Sequence, residues 1–194
     1  MKNKIRKICD LLIGILCVIT VIDGYYKDVT YMGEYCFISG ILTGAVFLFS
    51  FAYRVHDKKE LPVWLYFDCM ISLLVILMAT VLIGLNLEGA FWFIHIINPI
   101  IVFLYWCFFC NHQNISNPAL IATDIIFPLC YLFFAFILRG IWGITPFPAS
   151  MIFEMGSIEN VLLAMAALLV IFLILGYVLH LANWFIYKRF YERK

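Results

Sequence analysis

Charged residues are scarce in this chain, and their scarcity excludes most classes of soluble protein. Only 13% of the 194 residues are charged, whereas 65% are hydrophobic, and the mean hydropathy is +1.03. An ordinary soluble domain carries about 25% charged residues. The formal net charge of +1 gives no electrostatic reason to expect a nucleic acid as a partner. The sequence also contains no internal repeat and no low-complexity segment, and it leaves no room for a soluble domain of useful size.

Long apolar runs make up most of the sequence instead. A stretch of roughly 20 apolar residues spans the hydrocarbon core as an α-helix. Six such stretches predict one domain over residues 1–194, an all-α integral membrane bundle of six transmembrane helices. They are Ile8–Ile22, Cys36–Tyr53, Val63–Leu85, Phe91–Cys110, Leu120–Trp142 and Val161–Tyr187. The first stretch is short, but no small-residue cleavage site follows it, so we expect a retained helix rather than a signal peptide.

The distribution of positive charge predicts the orientation of these helices. The basic segments are the N-terminus, the loop after the second stretch and the C-terminal tail, with Lys2, Lys4, Arg6, Lys7, Arg54, Lys58, Lys59, Lys188, Arg189, Arg193 and Lys194. The loops Asp23–Tyr35, Asn86–Ala90 and Gly143–Asn160 are acidic and contain one lysine, Lys27. With six spans, all basic segments fall on one side. We therefore expect a multi-pass protein of the cell membrane with both termini cytoplasmic.

A histidine lies inside the fourth apolar stretch, in the segment Phe91–Pro99. An imidazole is costly in hydrocarbon, so His95 indicates a functional interior rather than a lipid-facing surface. Pro99 follows it and frees backbone groups that neighbouring helices must satisfy. In the predicted topology His95 lies roughly 6 Å below the outer start of its helix.

The second stretch brings small polar residues to a similar depth. Cys36, Ser39, Gly40 and Thr43 follow the spacing i, i+3, i+4, i+7, which places them on one helix face. Cys36, Ser39 and Thr43 lie roughly 0, 5 and 10 Å below the helix start, so depth favours Ser39 slightly and excludes none of them. The face is either a seam for close helix packing or part of a site shared with His95.

Arg139 stands near the outer end of the fifth stretch, and two interpretations are open for it. Its guanidinium either reaches the membrane interface along its own aliphatic stem or points inward and binds a carboxylate or an oxyanion. The segment Thr145–Pro148 follows it. Two prolines around an aromatic residue make a stiff turn that is able to roof the outer side of the bundle.

A second polar set is predicted near the cytoplasmic side. Its members are Asp10, Asp68, Asp124, His180 and Asn183. Carboxylates near helix ends are generally solvated or paired with Lys and Arg. No local ligand spacing supports a metal site, and we expect neither a metal nor a cofactor. Cys107-x-x-Cys110 is weak evidence for redox chemistry, and most of the seven cysteines are expected to be small buried hydrophobes.

Three blocks of residues resemble a known family of membrane proteins. They are His95-x-x-x-Pro99 with Trp106 beyond it, Phe127-Pro128-x-x-Tyr131 continuing to Arg139-Gly140, and Pro146-Phe147-Pro148. In this order and spacing, the chain from about Phe91 to Phe153 resembles the androgen-induced gene family and its small bacterial relatives. The resemblance is weaker over the first three helices and the last one.

The resemblance implies an activity and a nucleophile position. Family members with known activity resemble threonine hydrolases of the membrane, which cleave fatty acid esters of hydroxy fatty acids with a threonine on an early helix and a histidine on a later one. His95 is the counterpart of that histidine. Where the bacterial pattern resembles aromatic-Thr-x-x-Ser-Asn, this chain reads Tyr35-Cys36-Phe37-Ile38-Ser39-Gly40. Cys36 then occupies the nucleophile position, Ser39 keeps its hydroxyl, and Thr43 is a candidate if the register slips.

The leading hypothesis is therefore an intramembrane hydrolase of a lipid ester that enters from the bilayer. His95 would act as the base and Cys36, Ser39 or Thr43 as the nucleophile. Asn98 or Arg139 would bind the substrate and donate to its oxyanion.

Several alternatives remain open at this point. The replacement of the family's threonine is compatible with a loss of hydrolase activity. A non-catalytic protein that binds or transports a lipid or small molecule is the second hypothesis, although the internal prolines do not occupy corresponding halves as in transporter repeats. Thiol redox chemistry through Cys107 and Cys110 is the third. The oligomeric state is not indicated by the sequence.

Overall fold

The computed structural model describes residues 2–57, 59–110 and 117–190, and its secondary structure there is helical, with no strand. The α-helices are α1 (Lys2–Tyr25), α2 (Tyr35–His56), α3 (Val63–Ile83), α4 (Asn98–Tyr105), α5 (Ile126–Trp142), α6 (Ala149–Phe153) and α7 (Ile158–Phe190). Segments of 3₁₀-helix cover Val29–Gly33 and Pro118–Ile125, and π-helical turns cover Phe93–Ile97 and Trp106–Cys110. Lys58, Arg193 and Lys194, on which the predicted orientation partly rests, lie outside the described residues.

The described residues contain five helices that are long and apolar enough to cross a membrane. They are Tyr35–His56, Val63–Ile83, Phe93–Cys110, Ala119–Trp142 and Ile158–Phe190. The chain is thus a helical, multi-pass membrane protein, and these helices coincide with the second to sixth predicted stretches. The first predicted stretch lies in α1, which has 24 residues and is not among the five.

Two prolines account for the irregular helix segments that precede them, Phe93–Ile97 in the fourth span and Pro118–Ile125 in the fifth. Pro99 lacks the N–H that would bond to the His95 carbonyl in an α-helix, and its ring crowds that carbonyl. The chain before it forms the π-helical turn Phe93–Ile97, which is the kind of local adjustment that accommodates a proline in a membrane. Pro128 similarly lies in the first turn of α5, where its missing donor is tolerated, and the chain before it is 3₁₀-helical.

Helices α1 and α2 pack closely because glycines line their contact. A Cβ at Gly40 would stand 2.5 Å from Val21 Cγ2, and one at Gly44 would stand 2.6 Å from Val18 Cγ2 and 3.1 Å from the Gly14 carbonyl oxygen. The spacing Gly40-x-x-x-Gly44 is the small-residue motif that lets two membrane helices approach. The glycines on this face of α2 therefore form a packing seam with α1.

Replacing Gly44 by alanine is expected to lower the free energy of unfolding by about 1–3 kcal/mol, because the added methyl has no space between α1 and α2. The check is the thermal denaturation midpoint of the purified protein in detergent. Gly140→Ala is the matched control, since nothing lies within 4 Å of a Cβ at Gly140, and helix propensity predicts an unchanged or slightly higher midpoint. Equal shifts in the two variants would contradict the close approach.

Candidate functional site

A cavity of about 390 Å³ opens at one end of the bundle, where α1 ends, α2 begins and α3 ends. It contains both His95 and Cys36, although the depths predicted from the sequence favoured Ser39 slightly over Cys36. The other lining residues are Gly24, Tyr25, Lys27, Asp28, Tyr31, Glu34, Leu85, Asn86, Phe91 and Phe147. The volume lies within the usual range for a small-molecule site, and the lining mixes aromatic walls with charged groups.

His95 is held in one orientation by the end of α3. Gly84 ends that helix in a left-handed conformation, with φ of 70°, and the chain then turns across the imidazole. The His95 Nδ1 lies 2.7 Å from the Asn86 carbonyl oxygen. A carbonyl only accepts, so Nδ1 carries the proton and Nε2 keeps its lone pair. The imidazole is buried, with 4% of its surface exposed, and Phe91 packs against its ring.

Cys36 lies in the first turn of α2, and the loop after α5 fixes that turn. The Phe147 carbonyl accepts a hydrogen bond from the Tyr35 amide at 3.1 Å and another from the Tyr131 hydroxyl at 2.6 Å. The Pro-Phe-Pro turn is therefore tied to both α2 and α5, and Phe147 lines the cavity beside Cys36. Cys36 is a free thiol, and 4% of its surface is exposed.

Glu34 places a carboxylate at the same cavity, immediately before α2. The Tyr25 hydroxyl donates a hydrogen bond to its Oε2 at 2.8 Å. Burial raises the pKa of Glu34, and the hydrogen bond from Tyr25 opposes part of that rise. The ionised form is therefore less favoured here than in water.

The other two nucleophile candidates lie away from the cavity. The Ser39 hydroxyl donates to the Tyr35 carbonyl at 2.6 Å, which is the usual bond of a serine inside a helix to the preceding turn. Thr43 is buried deeper in α2. Neither belongs to the lining of the cavity, so the structure brings only Cys36 together with His95.

The two predicted substrate-binding residues are also placed elsewhere. The Asn98 amide donates to the Thr20 hydroxyl at 2.9 Å and joins α4 to α1. Arg139 is exposed on α5, donates to the Phe153 carbonyl at 3.1 Å and lines a different cavity. Neither side chain reaches the lining that His95 shares with Cys36.

An ion-pair network that includes two buried arginines and the buried Asp10 lies at the opposite end of α1 and α2. Arg54 Nε donates to Asp10 Oδ2 at 2.8 Å, and Arg54 Nη1 donates to Glu60 Oε1 at 2.5 Å. Arg6 donates to Glu60 Oε2 at 3.1 Å and to the Tyr105 hydroxyl at 3.0 Å. Both arginines are buried. The sequence indicated them only as charges that set the orientation, and it did not predict the network.

The remaining members of the predicted inner set do not join this network. Asp68 accepts a hydrogen bond from Thr123 at 3.0 Å, and Asp124 packs against Gly176 of α7. Cys110 accepts a long contact of 3.8 Å from Arg6. Among the described residues, no group of three or more His, Cys, Asp and Glu side chains is arranged to hold a metal ion.

Three contributions to the His95 cavity were missed by the sequence analysis. Glu34 was counted only among the acidic loop residues, although its position two residues before Cys36 was a usable signal. The Asn86 and Phe147 carbonyls act through the backbone, which the residue types do not reveal.

Comparison of the chain with models of protein families, with curated proteins and with solved structures found no match.

Proposed function

We propose that this protein is an intramembrane hydrolase of a lipid ester, with Cys36 as nucleophile and His95 as base. The observation that carries the proposal is that Cys36 of α2 and His95 of the fourth span line one cavity. The Asn86 carbonyl also accepts a hydrogen bond from Nδ1 of the imidazole. A nucleophile beside a base that a third group orients is the arrangement of covalent acyl-transfer enzymes. The resemblance of the blocks around His95, Tyr131 and Phe147 to the androgen-induced gene family supports the reaction class.

The reaction then follows two acyl-transfer steps. His95 Nε2 takes the proton of the Cys36 thiol while the sulfur adds to the ester carbonyl carbon. The carbon–oxygen bond breaks, and the imidazolium returns the proton to the departing alcohol. A water molecule, deprotonated by Nε2, attacks the resulting thioester and releases the fatty acid and the thiol.

The oxyanion needs donors that lie at this cavity. Lys27 and Tyr31 line it and carry N–H and O–H groups, whereas Asn98 and Arg139 do not line it. We therefore assign the stabilisation of the oxyanion to Lys27 and Tyr31. The lipid would enter laterally from the bilayer, with its ester near the aromatic wall.

The proposal includes a topology of six spans with both termini cytoplasmic, in the cell membrane. It adds α1 to the five spans described above, because this helix packs along α2 through the glycine seam. The cavity then lies toward the outer side and the ion-pair network toward the cytoplasm. Lys4, Lys7, Lys59, Lys188 and Arg189 supply the positive charge of the cytoplasmic side.

Replacing His95 by alanine is expected to lower ester hydrolysis by about 10²–10⁴-fold, the usual contribution of a general base. The measurement is turnover of a fluorogenic long-chain ester by the purified protein in detergent. His56→Ala is the control, because that imidazole is exposed at the end of α2 and paired with Asp57. Equal turnover by the wild type and His95→Ala would contradict the proposal. So would the absence of turnover by the wild type with esters of several chain lengths.

Binding without turnover is the second candidate function, and one observation favours it. No hydrogen bond joins the Cys36 thiol to the His95 imidazole within the described residues, although both line the cavity. Catalytic hydrogen bonds often tighten only when substrate binds. A lipid that co-purifies with the protein and stabilises it without being cleaved would support this candidate.

A further inference from the structure

A second cavity, of about 590 Å³, lies between α5 and α7 and reaches Phe153 of α6. Its walls are apolar, and Phe133 and Leu162, which line it from the two sides, are 67% and 60% exposed. In a membrane such walls open toward the lipid chains. The lining on α5 extends from Leu129 to Arg139, which is roughly 15 Å of helix.

Arg139 fixes a positive charge at one end of this groove. Its Nη1 donates to the Phe153 carbonyl at 3.1 Å, and its guanidinium carbon lies 5.7 Å from the centre of the Phe153 ring. In the described part of the chain, no acidic side chain forms an ion pair with Arg139. Glu154 and Glu159, which follow Phe153 in the sequence, also form no ion pair with Arg139. The groove therefore combines a long apolar wall with a cation that lacks a directly paired carboxylate.

We propose that this groove binds a long-chain fatty acid, with the carboxylate on Arg139 and the alkyl chain along α5 and α7. A guanidinium has five N–H donors, and the Phe153 carbonyl uses one of them. The others present the planar fork that binds the two oxygens of a carboxylate. A cavity of about 590 Å³ suits a single alkyl chain rather than the paired chains of a phospholipid. The site uses neither His95 nor Cys36, so it does not depend on the proposed hydrolase activity.

The test is photolabelling of the full chain in phosphatidylcholine nanodiscs with a diazirine-bearing long-chain fatty acid, followed by mass spectrometry of the labelled peptides. We expect labelling in α5 and α7 that palmitic acid competes and methyl palmitate does not. Arg139→Gln is expected to weaken the labelling about tenfold, because a charge-assisted hydrogen-bonded pair is lost. Lys188→Gln, an exposed cation on α7, is the matched control and should label as the wild type does.

Two further variants keep the outcome unambiguous. Leu162→Trp places a bulky ring in the groove and should abolish labelling while Arg139 remains. His95→Ala should leave labelling unchanged, which separates this site from catalysis. Equal competition by methyl palmitate, stronger competition by phosphatidylglycerol, or full labelling of Arg139→Gln would each overturn the proposal.

Discussion

Replacing Asp10 by alanine is expected to lower the free energy of unfolding by about 3–5 kcal/mol, because the change removes the fully buried one of the two carboxylates that pair with the buried Arg54 guanidinium. Asp10 has no exposed surface, and Arg54 is 2% exposed. Their contact is 2.8 Å. Ser50 Oγ also donates to Asp10 at 2.7 Å, and the Tyr105 hydroxyl donates to its other oxygen. Each of these donors would lose its bond to the Asp10 carboxylate at once.

The neighbouring aromatic rings make it difficult for the network to relax after this change. Phe47 packs edge-on against Tyr66 and Tyr105, and these rings leave little room for water to replace the carboxylate. Breaking one side of a buried pair therefore costs far more than removing the pair as a whole. Asp10→Leu combined with Arg54→Met should accordingly be less destabilising than Asp10→Ala alone.

The measurement is the thermal or denaturant-induced unfolding of the three proteins in the same detergent. Asp23→Ala provides the control on the same helix, because Asp23 is exposed and a surface substitution there should change stability by no more than about 0.5 kcal/mol. Similar shifts for Asp10→Ala and Asp23→Ala would show that the buried network does not stabilise the fold.

The second to sixth predicted spans were predictable from the sequence because hydrocarbon imposes one simple requirement on the chain. Val63–Leu85 was predicted and α3 covers Val63–Ile83, since an apolar run long enough to cross a membrane has few other ways to satisfy its backbone. Depth follows directly from position along a helix, but it favoured Ser39 slightly as the partner of His95, whereas the cavity is lined by Cys36.

The direction in which side chains point around a helix was less predictable. The π-helical turn Phe93–Ile97 changes the angular relation between His95 and Asn98, so the regular helical period does not place them correctly. Asn98 consequently contacts Thr20 rather than the cavity. Arg6 and Arg54 illustrate a second limit, because the same charges can set the orientation of the chain and still be buried in ion pairs. Only tertiary contacts reveal that second role.

Replacing Cys36 by alanine is expected to abolish ester hydrolysis as completely as replacing His95, if Cys36 is the nucleophile. Cys36 shares the cavity with His95, whereas Ser39 is hydrogen-bonded within α2 and does not line it. Ser39→Ala and Thr43→Ala should therefore keep most of the activity. Cys36→Thr restores the residue type of the resembling family at this position and should retain turnover, because a hydroxyl can be activated by the same base.

The decisive comparison is the double variant Cys36→Ala with His95→Ala. Two residues that act in one proton-transfer unit are strongly non-additive, so the double variant should be no slower than either single variant. The measurement is kcat/KM for a fluorogenic long-chain ester with all variants at equal folded concentration. Activity retained by Cys36→Ala but lost with His95→Ala would assign the attack to a water molecule activated by His95. Multiplicative losses in the double variant would show that the two side chains act independently, and the thiol–imidazole mechanism would then be wrong.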